Sequence, residues 1–272
     1  MSKPVVILGA FDNLRSRDVR FIEEASKSGE LTILVYPDQT IRTQTGKDAQ
    51  FPLQERLYML RALRFAAGAF PLDSSAPGNV LPQSRDWGGW VWVDLQGPFN
   101  ESRSQFCAAR GVEYHLLTES KLQGFPEQRR EQGKSERKKI VVTGCFDWLH
   151  SGHVRFFEEV SSYGDLTVII GHDANIQLLK GKGHPLLSQE ERRYMVGSIR
   201  YVTQALISSG EGWLDADPEI QRIKPDIYAV NEDGDRGGKR AYCAERGIEY
   251  LVLKRVPAEG LPQRSSTDLR GF

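Results

Sequence analysis

The chain repeats itself once, and this internal repeat restricts the possible fold more than any other feature. When positions 4–38 are laid on positions 139–173, 16 of the 35 aligned pairs are identical. A shift larger by one residue continues the match and pairs Cys107-Ala108 with Cys243-Ala244. Similarity at a constant spacing indicates a structural unit that occurs twice. We therefore predict a tandem duplication.

The repeat also predicts how the 272 residues are divided into domains. A first copy occupies 1–127 and a second copy occupies 139–272. Between them, residues 128–138 are polar and carry no apolar periodicity, which is typical of a linker. Two domains of this length fall within the ordinary size range.

Within each copy, segments typical of strands alternate with segments typical of helices. In the second copy the β-branched run Ile140–Thr143 precedes an apolar-periodic helical segment, and Leu166–Gly171 is a continuous apolar strand. A later helix is predicted over Ser188–Arg200, with Ser188 as its N-cap. This alternation predicts an α/β fold in which each copy is a parallel sheet flanked by helices on both faces. Ligands of such sheets bind at the carboxyl ends of the strands.

The first predicted strand-to-helix turn of the second copy carries the densest chemistry in the chain. Its sequence is Gly-Cys-Phe-Asp-Trp-Leu-His-Ser-Gly-His, residues 144–153. His150 and His153 are three residues apart at the helix start and so share one face. Gly152 between them lets the backbone approach a ligand closely. Because a helix N-terminus attracts anions, the two imidazoles and the free N–H groups predict a phosphate site.

This string resembles the signature of the cytidylyltransferase-like nucleotidyltransferase superfamily. The resemblance implies two Rossmann-like nucleotidyltransferase domains. It also implies a reaction in which a nucleoside triphosphate is joined to a phosphorylated small molecule and pyrophosphate is released. Arg264-Ser265-Ser266-Thr267 resembles the family's serine-threonine box, which would open a last helix and meet the phosphates. Lys180-Gly181-Lys182-Gly183, which is expected to follow the second strand of this copy, resembles its lysine loop. Arg200 opens an Arg-Tyr-Val segment like that of the family.

The resemblance assigns roles to residues of the second copy only. The catalytic set is His150, His153, Lys180 and Lys182, with the choice between the two lysines left open. The nucleotide-binding set is Gly144, Cys145, Phe146, Asp147, Gly152, Arg192, Asn231, Asp233, Arg264, Ser265, Ser266 and Thr267. The substrate-binding set is Asp173, Arg200 and Trp213. Arg192, Arg200 and Asp173 have counterparts in the first copy, so a structural role is as well supported for them as a binding role. Trp213 is equally well interpreted as a buried core residue.

The same resemblance gives the expected reactants. The donor is predicted to be CTP and the acceptor a small phosphorylated alcohol or sugar-like compound, which gives a CDP-linked product. The alternatives are an adenylyltransferase that uses ATP, as archaeal FAD synthetase does, and a non-catalytic nucleotide-binding scaffold. Magnesium is expected to arrive with the triphosphate, and no protein metal site is predicted.

The first copy has lost the chemical residues while keeping the pattern of strands and helices. Arg15-Ser16-Arg17-Asp18 replaces His-Ser-Gly-His, so an anion that repels phosphate stands in place of an imidazole donor. The serine-threonine box has no counterpart. We expect the first copy to be inactive and to take the place of a partner subunit in an internal pseudo-dimer. A further homodimer is left open.

Composition excludes several other classes of protein. Formal net charge is zero, which argues against general nucleic-acid binding. The three cysteines give neither an even disulfide framework nor a paired metal motif. No apolar run reaches the roughly 20 residues that span a bilayer, and the N-terminus has no signal-peptide pattern. A cytoplasmic protein without a membrane span is therefore expected.

Overall fold

A computed structural model describes residues 2–73, 81–97, 100–127, 135–266 and 269. The chain divides into two compact units, a first unit Met1–Gly124 and a second unit Phe125–Phe272. Of the predicted linker, residues 128–134 lie outside the described ranges. Within the described ranges, no helix is long and apolar enough to cross a bilayer.

The first unit is one parallel sheet with helices between its strands. Its strands are β1 Pro4–Gly9, β2 Glu30–Val35, β3 Gly68–Pro71, β4 Val91–Leu95 and β5 Glu113–Leu117. Its helices are α1 Ser16–Ser26, α2 Asp38–Thr45, α3 Leu53–Arg61 and α4 Glu101–Arg110. The strand order is β3-β2-β1-β4-β5, and every pair is parallel.

The second unit repeats this architecture. Its strands are β6 Lys139–Gly144, β7 Asp165–Ile170, β8 Gln204–Ile207, β9 Ile227–Asn231 and β10 Glu249–Leu253. Its helices are α5 Ser151–Ser161, α6 Asp173–Lys180, α7 Gln189–Gly197, α8 Asp217–Ile223 and α9 Lys239–Glu245. The order β8-β7-β6-β9-β10 is that of the first unit, again with parallel pairs throughout. The predicted α/β fold with two Rossmann-like sheets is therefore confirmed.

Apolar side chains on both faces of the central strands explain why both sheets are covered by helices. Val141 and Val142 point to opposite faces because they are consecutive in β6, and both are buried. Tyr228 of β9 joins Val141, Ile220 of α8 and Cys243 of α9 in one buried cluster. This packing holds the carboxyl ends of β6 and β9 side by side, where the predicted site lies.

Of three local predictions, one needs correction, one falls mostly outside the described residues and one is confirmed. The stretch from Asp173 to Lys180 is helix α6, so Lys180 ends a helix and the lysine loop does not follow β7 directly. The last helix, predicted to open at the serine-threonine box, falls mostly on residues outside the described ranges, and Thr267 is among them. Ser188 caps α7 as predicted, since its hydroxyl accepts the Glu191 N–H at 3.2 Å.

Candidate functional site

The candidate site is a cavity at the point where the strand order of the second sheet reverses direction. The chain leaves β6 toward β7 and leaves β9 toward β10, so the two neighbouring strands diverge at their carboxyl ends. Such switch points are where open α/β sheets bind ligands. The cavity has a volume of about 700 Å³, which is within the range usual for small-molecule sites.

The Gly-Cys-Phe turn after β6 has an unusual backbone that shapes the cavity wall. Phe146 has a φ of 51°, in the left-handed region that residues with a Cβ rarely adopt. Its ring folds back over Gly144, where a Cβ would lie only 2.7 Å from the ring. The ring also packs against Phe157 and, edge-on, against His153, with centroid separations of 5.3 and 5.2 Å. Glycine at position 144 is therefore needed so that Phe146 can support His153.

Asp147 ties this turn to the segment that precedes α7. Its buried carboxylate accepts the backbone N–H groups of Leu186 at 2.7 Å and Leu187 at 3.0 Å. The carboxylate also lines the cavity. Because both bonds fix the path of the chain just after His184, Asp147 sets where that side chain enters the cavity wall.

His150 is the N-cap residue of α5, and its cap defines the tautomer of its ring. The Gly152 N–H donates to Nδ1 of His150 at 3.1 Å. Since Nδ1 accepts this bond, the neutral ring carries its proton on Nε2 and donates from there. A Cβ on residue 152 would lie 3.0 Å from the imidazole, so glycine at this position makes room for the cap. The ring of His150 is thus preset as a hydrogen-bond donor.

His153 stacks on His150 with ring centroids 3.9 Å apart and planes inclined by 25°. Burial lowers the pKa of His153 to about 3, assisted by the positive charges of Arg255 and Lys180, while the Trp148 carbonyl acts in the opposite direction. The imidazole is therefore neutral at pH 7. A neutral His153 spares the stacked pair the mutual repulsion of two imidazolium ions when phosphate oxygens bind.

Cations and hydroxyls complete the wall around the two histidines. Lys180 lines the cavity from the end of α6, and Ser265 and Ser266 line it from the C-terminal segment. Arg255 bonds the carboxylate of Asp233 at 2.6 Å and also donates to the Arg264 carbonyl. The Ser266 hydroxyl donates to the Trp148 carbonyl at 3.3 Å. These bonds hold the serine segment against the histidine turn.

The cavity brings together most of the residues singled out from the sequence. The predicted residues that line it are Gly144, Cys145, Phe146, Asp147, His150, Gly152, His153, Lys180, Asn231, Asp233, Ser265 and Ser266. As far as the described ranges go, its lining does not include Lys182, Arg192, Arg264, Asp173, Arg200 or Trp213.

Arg192 is fully buried beneath the site and bonded to protein groups only. Its guanidinium donates to the carbonyls of Cys145, Gly171 and Leu187 at 2.7, 2.8 and 3.1 Å, and to the Asp173 carboxylate at 2.6 Å. Arg56 makes the same kind of network in the first unit, to three carbonyls and Asp38. This favours the structural interpretation of Arg192 and Asp173, namely that they fix the turns after β6 and β7.

The other predicted residues outside the cavity lie at the surface. Trp213 is 56% exposed, and its ring lies against Gly238, where a Cβ would be 3.2 Å from it. The alternative interpretation of Trp213 as a core residue is therefore wrong. Lys182 and Arg200 are exposed, and Arg264 is half-buried in a smaller depression beside Arg255.

Nine of the described residues that line the cavity were missing from the predicted set, and three of these nine have basic side chains. His184, Lys239 and Arg255 all line the cavity. Arg255 follows β10, and Lys239 begins α9 after a pair of glycines. The signal in the sequence that could have identified both residues is that each comes soon after the carboxyl end of a strand. Lys239 had no motif to mark it.

Two carboxylates of the cavity already have bonding partners within the protein, which makes them less suited to bind a metal ion. Asp147 accepts two backbone N–H groups and Asp233 is paired with Arg255. The part of the chain that the structure describes contains no group of three or more histidine, cysteine or acidic side chains arranged to hold a metal ion. The donor set of the cavity thus suits anions better than a bare cation.

At the corresponding place, the first unit carries different chemistry. Asp18 stands where His153 would be, and its carboxylate accepts the Arg15 N–H at 2.9 Å. Burial raises the pKa of Asp18. Beyond β4, Asp94 is bonded to Arg103 and accepts the Tyr114 hydroxyl at 2.9 Å. The first unit therefore has acidic residues with partners of their own where the second offers donors to a ligand.

Comparison with known proteins agrees with this geometry. The model of the cytidylyltransferase-like family matches residues 141–270. The FAD synthase of Ferroglobus placidus is 38% identical over 120 residues, which are 43% of this chain and 75% of that protein. The FAD synthase of Methanocella arvoryzae is 32% identical over 49% of this chain and 93% of that protein. The bifunctional protein HldE of Aliarcobacter butzleri is 38% identical over 52% of this chain and 28% of that protein.

The parallel sheet, the histidine turn at its switch point and these similarities define the class. The chain belongs to the cytidylyltransferase-like family and is a nucleotidyltransferase.

Proposed function

We propose that the second unit transfers a nucleotidyl group from a nucleoside triphosphate to the phosphate of a small phosphorylated molecule. The observation that carries this proposal is the stacked pair His150 and His153 in the cavity wall at the start of α5. Two imidazole donors beside a helix N-terminus and two cationic side chains suit a reaction between two polyanions.

In this reaction an oxygen of the acceptor phosphate attacks the α-phosphorus of the donor. A new P–O bond forms while the bond to the bridging oxygen of pyrophosphate breaks, so no protein nucleophile is needed. His150 donates from Nε2 to the transferring group, and His153 adds a second donor. Lys180 and Arg255 offset the charge that builds up on the leaving pyrophosphate. Gly152 and the hydroxyls of Ser265 and Ser266 let the phosphates approach the backbone.

Magnesium would enter on the triphosphate. The cavity carboxylates are engaged with backbone N–H groups and Arg255, so the ion would take its ligands mainly from phosphate oxygens and water. When bound, it neutralises charge on the phosphates.

ATP is the donor that we favour. Two similar proteins are named FAD synthases, and they share about a third of their aligned residues with this chain. FAD is the adenylyl ester of flavin mononucleotide, so its synthesis points to an adenylyl donor. CTP, predicted from the motif resemblance, is the second candidate. The turn after β9, where Asn231 and Asp233 line the cavity, faces the nucleotide in either case. The acceptor is a phosphorylated small molecule, with flavin mononucleotide the first to try.

The roles of the remaining predicted residues follow from their positions. Arg192 and Asp173 hold the turns that carry Cys145 and Gly171, and so act indirectly. Lys182, Arg200, Arg264, Thr267 and Trp213 remain predictions for contacts made when both substrates are bound.

The test is pyrophosphate release by the intact protein with ATP or CTP, magnesium and a panel of phosphorylated acceptors. We expect release with one donor, and a loss of about 100- to 1,000-fold in His150→Ala, the size seen when one transition-state donor is removed. Arg15→Ala, at the corresponding position of the first unit, is the matched control and should retain full turnover. Absence of release with every donor and acceptor would favour the non-catalytic scaffold.

A further inference from the structure

Lys239 is a cation of the cavity that no motif marks. It is the first residue of α9, is half-buried, and lines the cavity together with the histidines. Its ammonium donates to the Gly234 carbonyl at 3.2 Å. An ammonium carries three donors, so one long bond to a carbonyl leaves most of its capacity for another partner.

In the first unit, the residue equivalent to Lys239 interacts with neighbouring side chains of its own unit. Arg103 stands there in place of Lys239, and it is bonded to Asp94 of β4 and lies over the Trp92 ring at 5.3 Å. The sheet registers make Asp94 and Val230 equivalent, because Trp92 pairs with Val6 and Tyr228 pairs with Val141. The second unit has therefore replaced the carboxylate with an apolar side chain and has kept the cation.

Two acidic residues of the turn that precedes Lys239 have other partners. Asp233 is paired with Arg255 at 2.6 Å. Asp235 is paired with Arg240 at 3.0 Å and accepts the Tyr250 hydroxyl at 2.9 Å. Among the residues that the structure describes, Lys239 forms no ion pair. Burial lowers the pKa of Lys239, and the charge of Asp235 only partly opposes this.

The cavity thus has a cation on each side of the histidines. Lys180 reaches it from the β7 side, and Lys239 reaches it from the β9 side. A nucleotide at a switch point lies across the crevice between the two diverging strands, here β6 and β9. Lys239 follows β9 and is therefore on the nucleotide's side of the crevice.

We propose that Lys239 is a nucleotide-binding residue, which donates a charge-assisted hydrogen bond to an electronegative atom of the nucleoside triphosphate. The inference rests on the proposed function and adds a contact to it. Val230 keeps the ammonium available, since a carboxylate at that position would bind the cation in the empty site as Asp94 does in the first unit.

Calorimetric titration of magnesium–ATP into the intact protein tests this. We expect Lys239→Met to bind about 10- to 100-fold more weakly than the wild type, the effect of losing one hydrogen bond to a charged group. Lys239→Arg should recover part of the loss. Lys138→Met is the control of equal charge change, since Lys138 is exposed, precedes β6 and is paired with Glu249 at 3.0 Å. Affinity of Lys239→Met within twofold of the wild type would overturn the proposal.

A second measurement uses the unmodified protein and so does not depend on the folding of a variant. Lysines are reductively methylated with and without magnesium–ATP, and the modified sites are located by mass spectrometry. Lys239 should be protected by ATP while Lys138 is not. Parallel experiments with AMP and adenosine show which part of the nucleotide is bound. Protection by ATP alone indicates the β- or γ-phosphate, and protection by all three indicates the nucleoside.

The two proposals fail in different ways. If the wild type binds neither ATP nor CTP, the proposed function is wrong and the Lys239 contact with it. If the wild type binds nucleotide but Lys239 is neither protected nor needed for affinity, only the further inference is wrong.

Discussion

At the residue scale, the site depends on two imidazoles, one of which is held in orientation and the other of which is kept neutral. His150 is oriented by its own helix, because the Gly152 N–H occupies Nδ1 and leaves Nε2 as the donor. His153 is kept neutral by burial and by the cations around it. Such preset donors do not have to reorient during the reaction, which is the basis of electrostatic catalysis.

Replacing His153 should therefore affect the chemical step more than binding. We expect His153→Ala to lower the single-turnover rate by about 100-fold or more, while nucleotide affinity falls severalfold at most. The reason is that contacts realised in the transition state act chiefly on rate. Rapid-quench kinetics and calorimetry on the same preparation measure the two effects. A large loss of affinity with an unchanged single-turnover rate would contradict the assignment.

The lowered pKa of His153 also makes a prediction about stability. The ordinary pKa of histidine is about 6.5, and that of His153 in the folded protein is about 3. Between these two pH values, His153 is protonated in the unfolded chain but not in the folded one. His153 therefore contributes its full stability above pH 6.5, and this is lost as the pH falls toward 3.

In His153→Gln, urea unfolding should show a shallower fall in the free energy of unfolding between pH 6.5 and 4. The difference in slope has an upper limit of about 1.4 kcal/mol per pH unit, the value for one proton. Equal slopes in wild type and variant would show that His153 does not titrate differently on folding.

Sequence alone identified the residues whose chemistry is marked by a motif, and it missed those marked only by position. The histidine turn and the serine segment both reach the cavity, as their resemblance implied. Lys239 was missed because an isolated lysine at a helix start has no pattern. Arg192 was read as a nucleotide contact, yet its guanidinium is directed into the protein, and no linear spacing records that direction.

At the scale of elements, the strand-to-helix turn is built the same way in both units. Phe11 and Phe146 both have positive φ, and each ring lies over a glycine two residues earlier. Asp12 accepts the Gln50 and Phe51 N–H groups at 2.8 and 2.9 Å, just as Asp147 accepts two in the second unit. The shared glycine, phenylalanine and aspartate thus build the turn, and only the residues after them decide whether it does chemistry.

Matched substitutions can separate these two roles. In Gly144→Ala the new methyl would lie 2.7 Å from the Phe146 ring, and in Gly9→Ala it would lie 2.9 Å from the Phe11 ring. Each should destabilise the protein by about 1–3 kcal/mol, the usual cost of overpacking. Only Gly144→Ala should also lower turnover, because Phe146 supports His153. Chemical denaturation and the pyrophosphate assay measure the two effects, and equal activity in both variants would contradict the role of Phe146.

Helix α6 shows why some elements escape prediction. Its sequence contains apolar residues at 176, 178 and 179, but Leu178 and Leu179 are 71% and 53% exposed. Only Asn175 and Ile176 of α6 are buried against the core. This buried face is too narrow to produce an amphipathic period that can be recognised in the sequence. By contrast, α5 has a broad buried face of Val154, Phe156, Phe157 and Val160, and its apolar periodicity did predict a helix after the first strand of the second copy.

At the scale of the whole molecule, two units of one architecture share the chain while the site chemistry is concentrated in the second. The strand order is the same in both. The first unit keeps the turn, the buried arginine network and the sheet, yet it carries Asp18 and the Asp94–Arg103 pair where donors to a ligand would be. This pattern is expected if the first unit has been retained for its folded structure and not for chemistry of its own.

We propose that the first unit substitutes for the partner subunit of single-domain relatives. A separately expressed second unit, beginning at about residue 134, should then self-associate or lose turnover. Sedimentation and the pyrophosphate assay, run on the same fragment, decide this. A stable monomer with the activity of the intact chain would contradict the internal pseudo-dimer.

The most direct test of the account is the number of nucleotide sites in the intact chain. Titration of magnesium–ATP and magnesium–CTP, followed by calorimetry, gives the stoichiometry and the preferred donor together. We predict one site per chain, weakened by Lys239→Met in the second unit and untouched by Arg15→Ala in the first. Two sites per chain would contradict the claim that a single unit carries the chemistry.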